Sequence, residues 1–132
     1  MENRITASNY WELLGFSIQR MENGEAQASL PDDGRLMNSL GIMHGGAIAS
    51  LADTTCGAAL KSAIDNEHFF VTTDLQISYF KAARGGELVC TAKVIHLGKQ
   101  TARVEAELFV NEVRVAKAGG SFTLLKKQDK KL

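Results

Sequence analysis

Two hydrophobic periodicities divide the chain into predicted strands and helices. Apolar and polar residues alternate, with the two-residue period that places successive side chains on opposite faces of a β-strand, in six segments. These segments are residues 16–21, 25–30, 69–80, 87–97, 101–110 and 113–125. Glu-Asn-Gly at 22–24 predicts a hairpin between the first two, and short connections among the last four predict an antiparallel meander. Gly119 and Gly120 predict a bulge or a close backbone approach in the last strand.

Two further segments have the pattern of a helix. Residues 7–14 predict a short helix, with Ser8 as its N-terminal cap and Gly15 as its stop. Residues 47–63 predict a long helix whose apolar residues are not confined to one stripe, so we expect it to be buried on most sides. This order of elements predicts an α+β fold in which one curved antiparallel sheet wraps around one long central helix.

Composition narrows the class of protein. The length of 132 residues predicts a single domain over residues 1–125, followed by a charged tail at 126–132 that we expect to fray. The 15 basic and 15 acidic residues argue against a basic surface that binds nucleic acid. No signal sequence or run of membrane-spanning length is visible, which predicts a cytoplasmic protein with no membrane partner. In that compartment Cys56 and Cys90 are expected to be reduced core residues.

One carboxylate stands out inside the long helix. Asp53 lies among small and apolar residues, with no basic residue within a turn on either side. A carboxylate is costly to bury unless it is paired or hydrogen-bonded, so catalysis is one explanation for it. Thr72 and Thr73 lie on the strand expected beside this helix, and a hydroxyl there could hold a water against Asp53. The alternative is the ordinary β-propensity of threonine.

The beginning of the helix offers a different chemistry. Gly45 and Gly46 leave the N–H groups of the first turn unscreened, and such a helix end attracts an anion or a polarised carbonyl oxygen. The alternative is that these glycines only let the helix begin beneath the sheet. His44 is a candidate catalytic base, positioning group or cap. Asn38 either donates to a substrate carbonyl or orders its own loop.

Helical geometry separates these two features. Asp53 follows Gly45 by eight residues, which is ~12 Å along a helix at ~1.5 Å per residue and a rotation of about 80°. A carbonyl bound by the Gly45 amide is therefore out of reach of Asp53 in the same chain. Either the two features are unrelated, or antiparallel helices of a two-fold homodimer each contribute one half to every site.

The pattern Asn38-x5-His44-Gly45-Gly46-x6-Asp53 resembles the hotdog-fold thioesterases and, within them, the PaaI-like branch of acyl-CoA thioesterases. The resemblance covers nearly the whole chain. It implies a hotdog fold whose subunits join edge to edge in a dimer and commonly pair again into a tetramer. It also implies hydrolysis of an acyl-CoA thioester without a metal or redox cofactor.

The resemblance assigns the reacting carboxylate and a hydroxyl beside it. Asp53 matches the catalytic carboxylate, which acts as general base on water or as nucleophile. Thr72 falls where relatives place a serine or threonine hydroxyl beside the attacking water, and Thr73 remains an alternative at that position.

The resemblance assigns the carbonyl-binding groups as well. Gly45 matches the backbone donor that polarises the thioester carbonyl, and Asn38 and His44 match polar groups that orient the thioester from the partner subunit. Residues expected to bind the rest of the substrate are Gly46, Met37, Leu40, Thr73, Lys81, Arg84 and Lys99. The basic ones could bind the phosphates or be solvated surface, and the apolar ones could line an acyl pocket or the core. No metal-ligand spacing, serine-hydrolase motif or phosphate-binding loop occurs in the sequence.

Two other functions stay open on the same fold. One is a non-catalytic protein that binds acyl-CoA or an acyl-carrier protein, and the other is a hydratase or dehydratase. A binding protein has no reason to bury an unpaired carboxylate, so Asp53 favours the acyl-CoA thioesterase.

Overall fold

The computed structural model describes residues 8–129. Along the chain, the helices, strands and 3-10 turns are α1 (Asn9–Leu14), β1 (Ser17–Glu22), β2 (Glu25–Leu30), a 3-10 turn (Gly34–Leu36), α2 (Gly45–Lys61), β3 (His68–Tyr79), β4 (Leu88–Leu97), β5 (Thr101–Val110), β6 (Val113–Lys126) and a 3-10 turn (Lys127–Asp129). The two predicted helices and six predicted strands are therefore confirmed. Ser8 caps α1 through its side chain and Gly15 ends the helix in a left-handed conformation, as predicted.

The strands form one six-stranded antiparallel sheet in the order β1-β2-β4-β5-β6-β3. The predicted meander is correct for β4, β5 and β6 but wrong for β3, which pairs with β6. The connection over residues 80–87 crosses from β3 to β4, roughly 14 Å away at ~4.8 Å per strand. Eight residues reach roughly 26–29 Å when extended, so the loop length permits this crossing. As a result β3 is an edge strand.

Helix α2 packs on one face of this curved sheet and supplies much of the core. Leu51, Cys56 and Leu60 are fully buried there, against residues such as Leu88 and Leu108 of β4 and β5. The helix is not covered all round, however. Its uncovered stripe is small and polar: Gly46, Ala49, Ser50, Asp53, Thr54 and Lys61. The helix was expected to be buried on most sides, and most of its apolar residues are buried as expected. Asp53, however, lies on the uncovered stripe.

The two glycines of β6 allow a close approach and do not form a bulge. Gly119 and Gly120 pair in regular register with Gln76 and Leu75 of β3. A Cβ atom added at Gly119 would overlap the guanidinium group of Arg103, which donates a 3.0 Å hydrogen bond to Ser121 Oγ. Of the two alternatives predicted from the sequence, the close approach is correct.

The end of the sheet differs from the sequence expectation. Strand β6 continues to Lys126, which pairs with His68, and the Lys127 N–H donates a 2.9 Å hydrogen bond to the Glu67 carbonyl. The segment predicted to fray from residue 126 therefore begins as strand and 3-10 turn, because it is tied to the start of β3. Residues 130–132 lie outside the described residues, as does residue 7 of the predicted first helix.

Both cysteines are buried free thiols, as predicted. Desolvation by burial raises the pKa of Cys56 and also that of Cys90, the latter to about 12. No helix among residues 8–129 is long and apolar enough to cross a membrane.

Candidate active site

Asp53 is hydrogen-bonded to the neighbouring edge strand. It is half-buried on the open stripe of α2, and its Oδ1 atom accepts a 2.8 Å hydrogen bond from Thr72 Oγ1. Oδ2 has no hydrogen-bond partner among residues 8–129. The carboxylate is thus neither deeply buried nor unpaired, and one of its oxygens stays open for chemistry.

A bulge in β3 determines which threonine faces Asp53. The register between β3 and β6 shifts between Thr72 and Asp74, so Thr72 points toward α2 while the Thr73 hydroxyl donates a 3.0 Å hydrogen bond to the Ser121 carbonyl. Of the two candidate hydroxyls, Thr72 is the one that contacts the carboxylate. The assignment of Thr73 to substrate binding stays a prediction.

His44 caps the N-terminus of α2. Its backbone is extended, and its Nδ1 atom accepts a 2.8 Å hydrogen bond from the Gly46 N–H. An accepting Nδ1 carries no proton, so the neutral ring has its proton on Nε2 and presents an N–H donor at its outer end. Among the three candidate roles of His44, this geometry favours the cap and the positioning group over a base at Nδ1.

Gly46 supplies the N–H donor of this cap. Its N–H is occupied by His44, and a Cβ at Gly46 would stand 3.0 Å from His44 Nδ1, tighter than a normal contact. The substrate-binding role assigned to Gly46 stays a prediction, with its donor already in use in this structure.

Gly45 provides the open amide at the beginning of the helix. The N–H groups of Ala47 and Ile48 donate to the His44 carbonyl, at 2.9 and 3.2 Å, whereas the Gly45 N–H has no partner within residues 8–129. The Gly45 carbonyl accepts a 2.9 Å hydrogen bond from the Tyr79 hydroxyl. The positive end of the helix dipole therefore offers one unoccupied donor, which is what an oxyanion site requires.

Asn38 orders the loop before the helix and keeps a donor. Its Oδ1 atom accepts from the N–H groups of Leu40 (2.9 Å) and Ile42 (3.4 Å). Its Nδ2 group donates to none of the residues from 8 to 129. Both predicted roles are thus compatible with one side chain: the oxygen holds the loop, and the nitrogen can donate to a substrate.

A cavity of about 320 Å³ opens beside the Gly45 amide. Its polar boundary includes Asn38, Tyr79 and Lys81, and the remaining lining is mostly apolar: Ile42, Met43, Ile48, Phe80, Ala82 and Ala83. This cavity brings together three predicted site residues, Asn38, Gly45 and Lys81. It is large enough for a small acyl group or part of a longer ligand.

Lys99 lies elsewhere. It lines a second cavity, of about 400 Å³, beyond the C-terminal end of α2, together with His68 and Lys126. Lys81 and Lys99 are therefore at opposite ends of β3, and a single chain does not bring them together. Arg84 is exposed in the loop that follows Lys81.

The two apolar candidates have different environments. Met37 is half-buried, packs against the core and forms an isolated β-bridge with Met43. Leu40 is 77% exposed, so it belongs to the surface of the loop. Their assignment to substrate binding stays a prediction.

Tyr79 is the site residue that the sequence analysis missed. It fits the apolar alternation of β3, so the pattern does not distinguish it from Leu75 and Ile77 on the same strand. The available signal was its position as the last residue of the strand, where a hydroxyl can reach beyond the sheet edge toward a helix terminus.

The carbonyl-binding half of the candidate site lies at the end of β3, beside Tyr79, whereas the carboxylate half lies near the middle of the strand, beside Thr72. Thr72 is hydrogen-bonded to Asp53, and Tyr79 is hydrogen-bonded to Gly45. Thr72 and Tyr79 are seven residues apart, which is roughly 23 Å along the strand at ~3.3 Å per residue. Gly45 and Asp53 therefore contact β3 at well-separated positions, as their spacing along α2 predicts. No group of three or more His, Cys, Asp or Glu residues in the described range could hold a metal ion.

Comparison with known proteins gives the family. The model of the Thioesterase superfamily matches residues 40–117, more than half of the chain and the part that contains Gly45, Asp53 and Thr72. The proofreading thioesterase EntH of Klebsiella pneumoniae is 31% identical over 88 residues, which cover 67% of this chain and 64% of that protein. The match therefore spans less than two thirds of EntH.

Two proteins of Pseudomonas aeruginosa are also similar. The thioesterase PA1618 is 29% identical over 100 residues, which cover 75% of this chain and 69% of that protein. The solved structure of the conserved protein PA5202 superposes with a TM-score of 0.87 at 39% identity, covering 90% of this chain and 95% of that one. These matches, together with the sheet wrapped around α2, show that the chain belongs to the Thioesterase superfamily, the thioester hydrolases of the hotdog fold.

Proposed function

We propose that this protein hydrolyses acyl-CoA thioesters as a homodimer in which each active site combines residues from both subunits. One observation carries the proposal: the open Gly45 amide and the Asp53–Thr72 pair contact the same edge strand seven residues apart, the amide beside Tyr79 at its end and the pair beside Thr72 near its middle. Neither half can perform the reaction alone, because one binds a carbonyl and the other supplies a base.

Strand β3 has the properties of a pairing edge. It is 12 residues long, bonds to β6 on one side only, and contains no lysine or proline that would block a further strand. The opposite edge, β1, has only six residues and carries an ion pair between Arg20 and Glu25. These features disfavour pairing at β1 and leave β3 as the edge for a second copy.

Antiparallel pairing along β3 completes the site. A two-fold axis midway between Thr72 and Tyr79 places Thr72 of one subunit beside Tyr79 of the other. Asp53 then faces the partner's Gly45. The exposed aromatic side chains at the end of the strand, Tyr79 and Phe80, each 51% accessible in the single chain, would be covered by the same pairing.

The reaction follows from this arrangement. The thioester carbonyl accepts a hydrogen bond from the Gly45 N–H, so the helix terminus stabilises the oxyanion as it develops. Asp53 of the other subunit takes a proton from a water whose oxygen bonds to the carbonyl carbon. The C–S bond then breaks, and the proton passes to the departing thiolate. With Asp53 as nucleophile instead, its open oxygen bonds to the carbonyl carbon, the C–S bond breaks, and the departing thiolate takes a proton from water. Water then hydrolyses the mixed anhydride to the free acid and regenerates the carboxylate.

Three polar groups assist the reacting atoms. Thr72 orients the Asp53 carboxylate and offers its hydroxyl oxygen to the attacking water. His44, through its Nε2–H, and Asn38, through Nδ2, are further donors near the carbonyl-binding end. No step of this mechanism uses a metal or cofactor, and the absence of a cofactor stays a prediction.

The same pairing brings the basic residues together. Lys81 and Arg84 follow the end of β3, whereas Lys99 and Lys126 lie near its beginning, in a cavity that also contains the Asp65–His68 pair. In an antiparallel dimer the two groups meet across the interface, and they form a positive site suited to the phosphates of coenzyme A.

The finer assignments belong to this proposal too. The aspartate at position 53, the pattern Asn38, His44 and Gly45, and the Thr72 hydroxyl support the PaaI-like branch. The pairing of dimers into tetramers and the cytoplasmic location rest on the sequence and stay predictions.

A panel of aryl-acetyl, benzoyl and straight-chain acyl-CoAs, assayed for thiol release, tests the proposal. We expect turnover with at least one chemical class and its loss in Asp53→Asn. Wild-type turnover in Asp53→Asn would contradict the mechanism. Tight acyl-CoA binding without thiol release would support the non-catalytic binding protein, and hydration of an enoyl-CoA would support the hydratase.

A further inference from the structure

Tyr79 connects the edge strand to the carbonyl-binding turn. Its hydroxyl donates to the Gly45 carbonyl at 2.9 Å, and its ring lies in the cavity with Gly45 and Asn38. A Cβ at Gly45 would stand 3.5 Å from Tyr79 Cζ and Oη, which is ordinary contact distance. The tyrosine thus covers one face of this glycine.

Two hydrogen bonds hold a single peptide group at this turn. The carbonyl of Gly45 and the N–H of Gly46 belong to the same planar peptide unit. Tyr79 binds the carbonyl side, and His44 Nδ1 binds the N–H side. Adjacent glycines have unusually wide backbone freedom, so these two bonds add to the restraint that the helix itself places on its first turn.

We propose that Tyr79 is a positioning residue for the carbonyl-binding amide. This inference rests on the proposed function, since the amide concerned is the Gly45 N–H that polarises the thioester carbonyl. The Gly45 N–H belongs to the preceding peptide plane, whose His44 carbonyl accepts from the N–H groups of Ala47 and Ile48. With the following plane held by Tyr79 and His44, Gly45 lies between two restrained planes, and its N–H keeps a constant direction. Tyr79 acts through Gly45 and takes no part in the bond changes.

Tyr79→Phe tests this role, and Tyr10→Phe is the matched control. Both tyrosines are about half exposed, and both hydroxyls bind the first two turns of α2, since Tyr10 is hydrogen-bonded to Ser50. We expect Tyr79→Phe to lower kcat about ten-fold, because misplacement of a preorganised group slows the chemical step. We expect KM to change by less than about two-fold, since a contact that acts mainly in the transition state affects kcat. Tyr10→Phe should change neither constant.

Wild-type kcat in Tyr79→Phe, or an equal loss in both variants, would overturn the proposal. Sedimentation of both variants checks that the oligomeric state is unchanged, so that a loss of activity is not a loss of assembly. If the wild-type protein released no thiol from any acyl-CoA, the proposed function would fail, and amide hydrogen exchange would still decide the role of Tyr79. Exchange at Gly46, whose N–H is bonded to His44, should be faster in Tyr79→Phe and unchanged in Tyr10→Phe. Equal exchange in the wild type and Tyr79→Phe would refute the anchoring role.

Discussion

Thr72 Oγ1 donates a 2.8 Å hydrogen bond to Asp53 Oδ1 and thereby ties the candidate catalytic carboxylate of α2 to the edge strand β3. The bond fixes the plane of the carboxyl group and leaves Oδ2 without a protein partner among residues 8–129. A carboxylate held in this way can direct its open oxygen at a water or at a carbonyl carbon. Thr72 and Asp53 therefore act as one unit.

Replacing Thr72 by valine should reduce turnover while preserving the fold. Valine keeps the shape of threonine but cannot donate to Asp53, so we expect kcat to fall about ten-fold or more through loss of orientation. Thr72→Ser, which keeps the hydroxyl, should retain most of the activity. Steady-state kinetics with a substrate from the acyl-CoA panel measures both.

Thr73→Val is the control for this change. Thr73 donates to the Ser121 carbonyl and does not reach Asp53, so its loss should leave kcat near the wild-type value. A fall in Thr73→Val, with wild-type turnover in Thr72→Val, would reverse the assignment of the two threonines.

The choice between these threonines shows where the sequence stops being informative. Alternation predicted strand β3 correctly, but a bulge between Thr72 and Asp74 shifts the faces of the strand by one position. A bulge of this kind depends on pairing with β6, which lies 48 residues away where Thr73 meets Ser121. The alternation of apolar and polar residues within β3 therefore gives no sign of this bulge.

Other features were predictable where they depend on local contacts and unpredictable where they depend on long-range contacts. Ser8 caps the beginning of α1 and Gly15 its end, both through contacts within a few residues, so their roles were predictable. The position of β3 at the sheet edge was not, because an eight-residue loop allows either a neighbouring strand or a crossing. Asp53 and Gly45 were identifiable from residue type and spacing, whereas the contact between Tyr79 and Gly45 needs the two elements folded together.

Gly45→Pro should remove the carbonyl-binding donor without disrupting the helix. Gly45 is the first residue of α2, a position where proline is well tolerated because its missing N–H would have no helical partner. The extended backbone of His44 suits a residue that precedes proline. We expect kcat to fall about 100-fold or more, the usual cost of losing an oxyanion-site donor.

Gly45→Ala is the matched control, since alanine keeps the N–H and its Cβ finds only ordinary contacts with Tyr79. It should retain much more activity than the proline variant, and circular dichroism should show both to be folded. Comparable activity in the two variants would exclude the Gly45 amide as the donor.

The buried thiols should make the free energy of unfolding decrease at alkaline pH. Burial raises the pKa of Cys90 to about 12 and raises that of Cys56, whereas unfolded thiols ionise near 8.5. Because the folded pKa is higher, the stability contributed by these protonated thiols is complete below about pH 8.5 and is lost progressively as the pH rises toward 12. Denaturant unfolding at pH 7.5 and pH 10 should show this decrease.

The double variant Cys56→Ala and Cys90→Ala separates the thiols from other groups that titrate in this range. Its stability should fall less between the two pH values than that of the wild type. In the folded wild-type protein both thiols should also resist alkylation at pH 8 and react after unfolding. A fast-reacting thiol in the native protein would contradict the burial of these side chains.

Mixing two inactive variants tests the shared site most directly. Gly45→Pro lacks the carbonyl donor and Asp53→Asn lacks the base, so each homodimer has two defective sites. If each site takes Gly45 from one subunit and Asp53 from the other, a heterodimer of the two variants has one site with both groups intact and one site lacking both. Random exchange makes half of the dimers mixed, so the activity should recover to about one quarter of the wild-type value. If both groups came from the same chain, every site in the mixture would still lack one of them, and no activity would return. Measuring thiol release after co-refolding the two variants in equal amounts, with each variant refolded alone as the control, distinguishes the two arrangements because only the shared site predicts recovery.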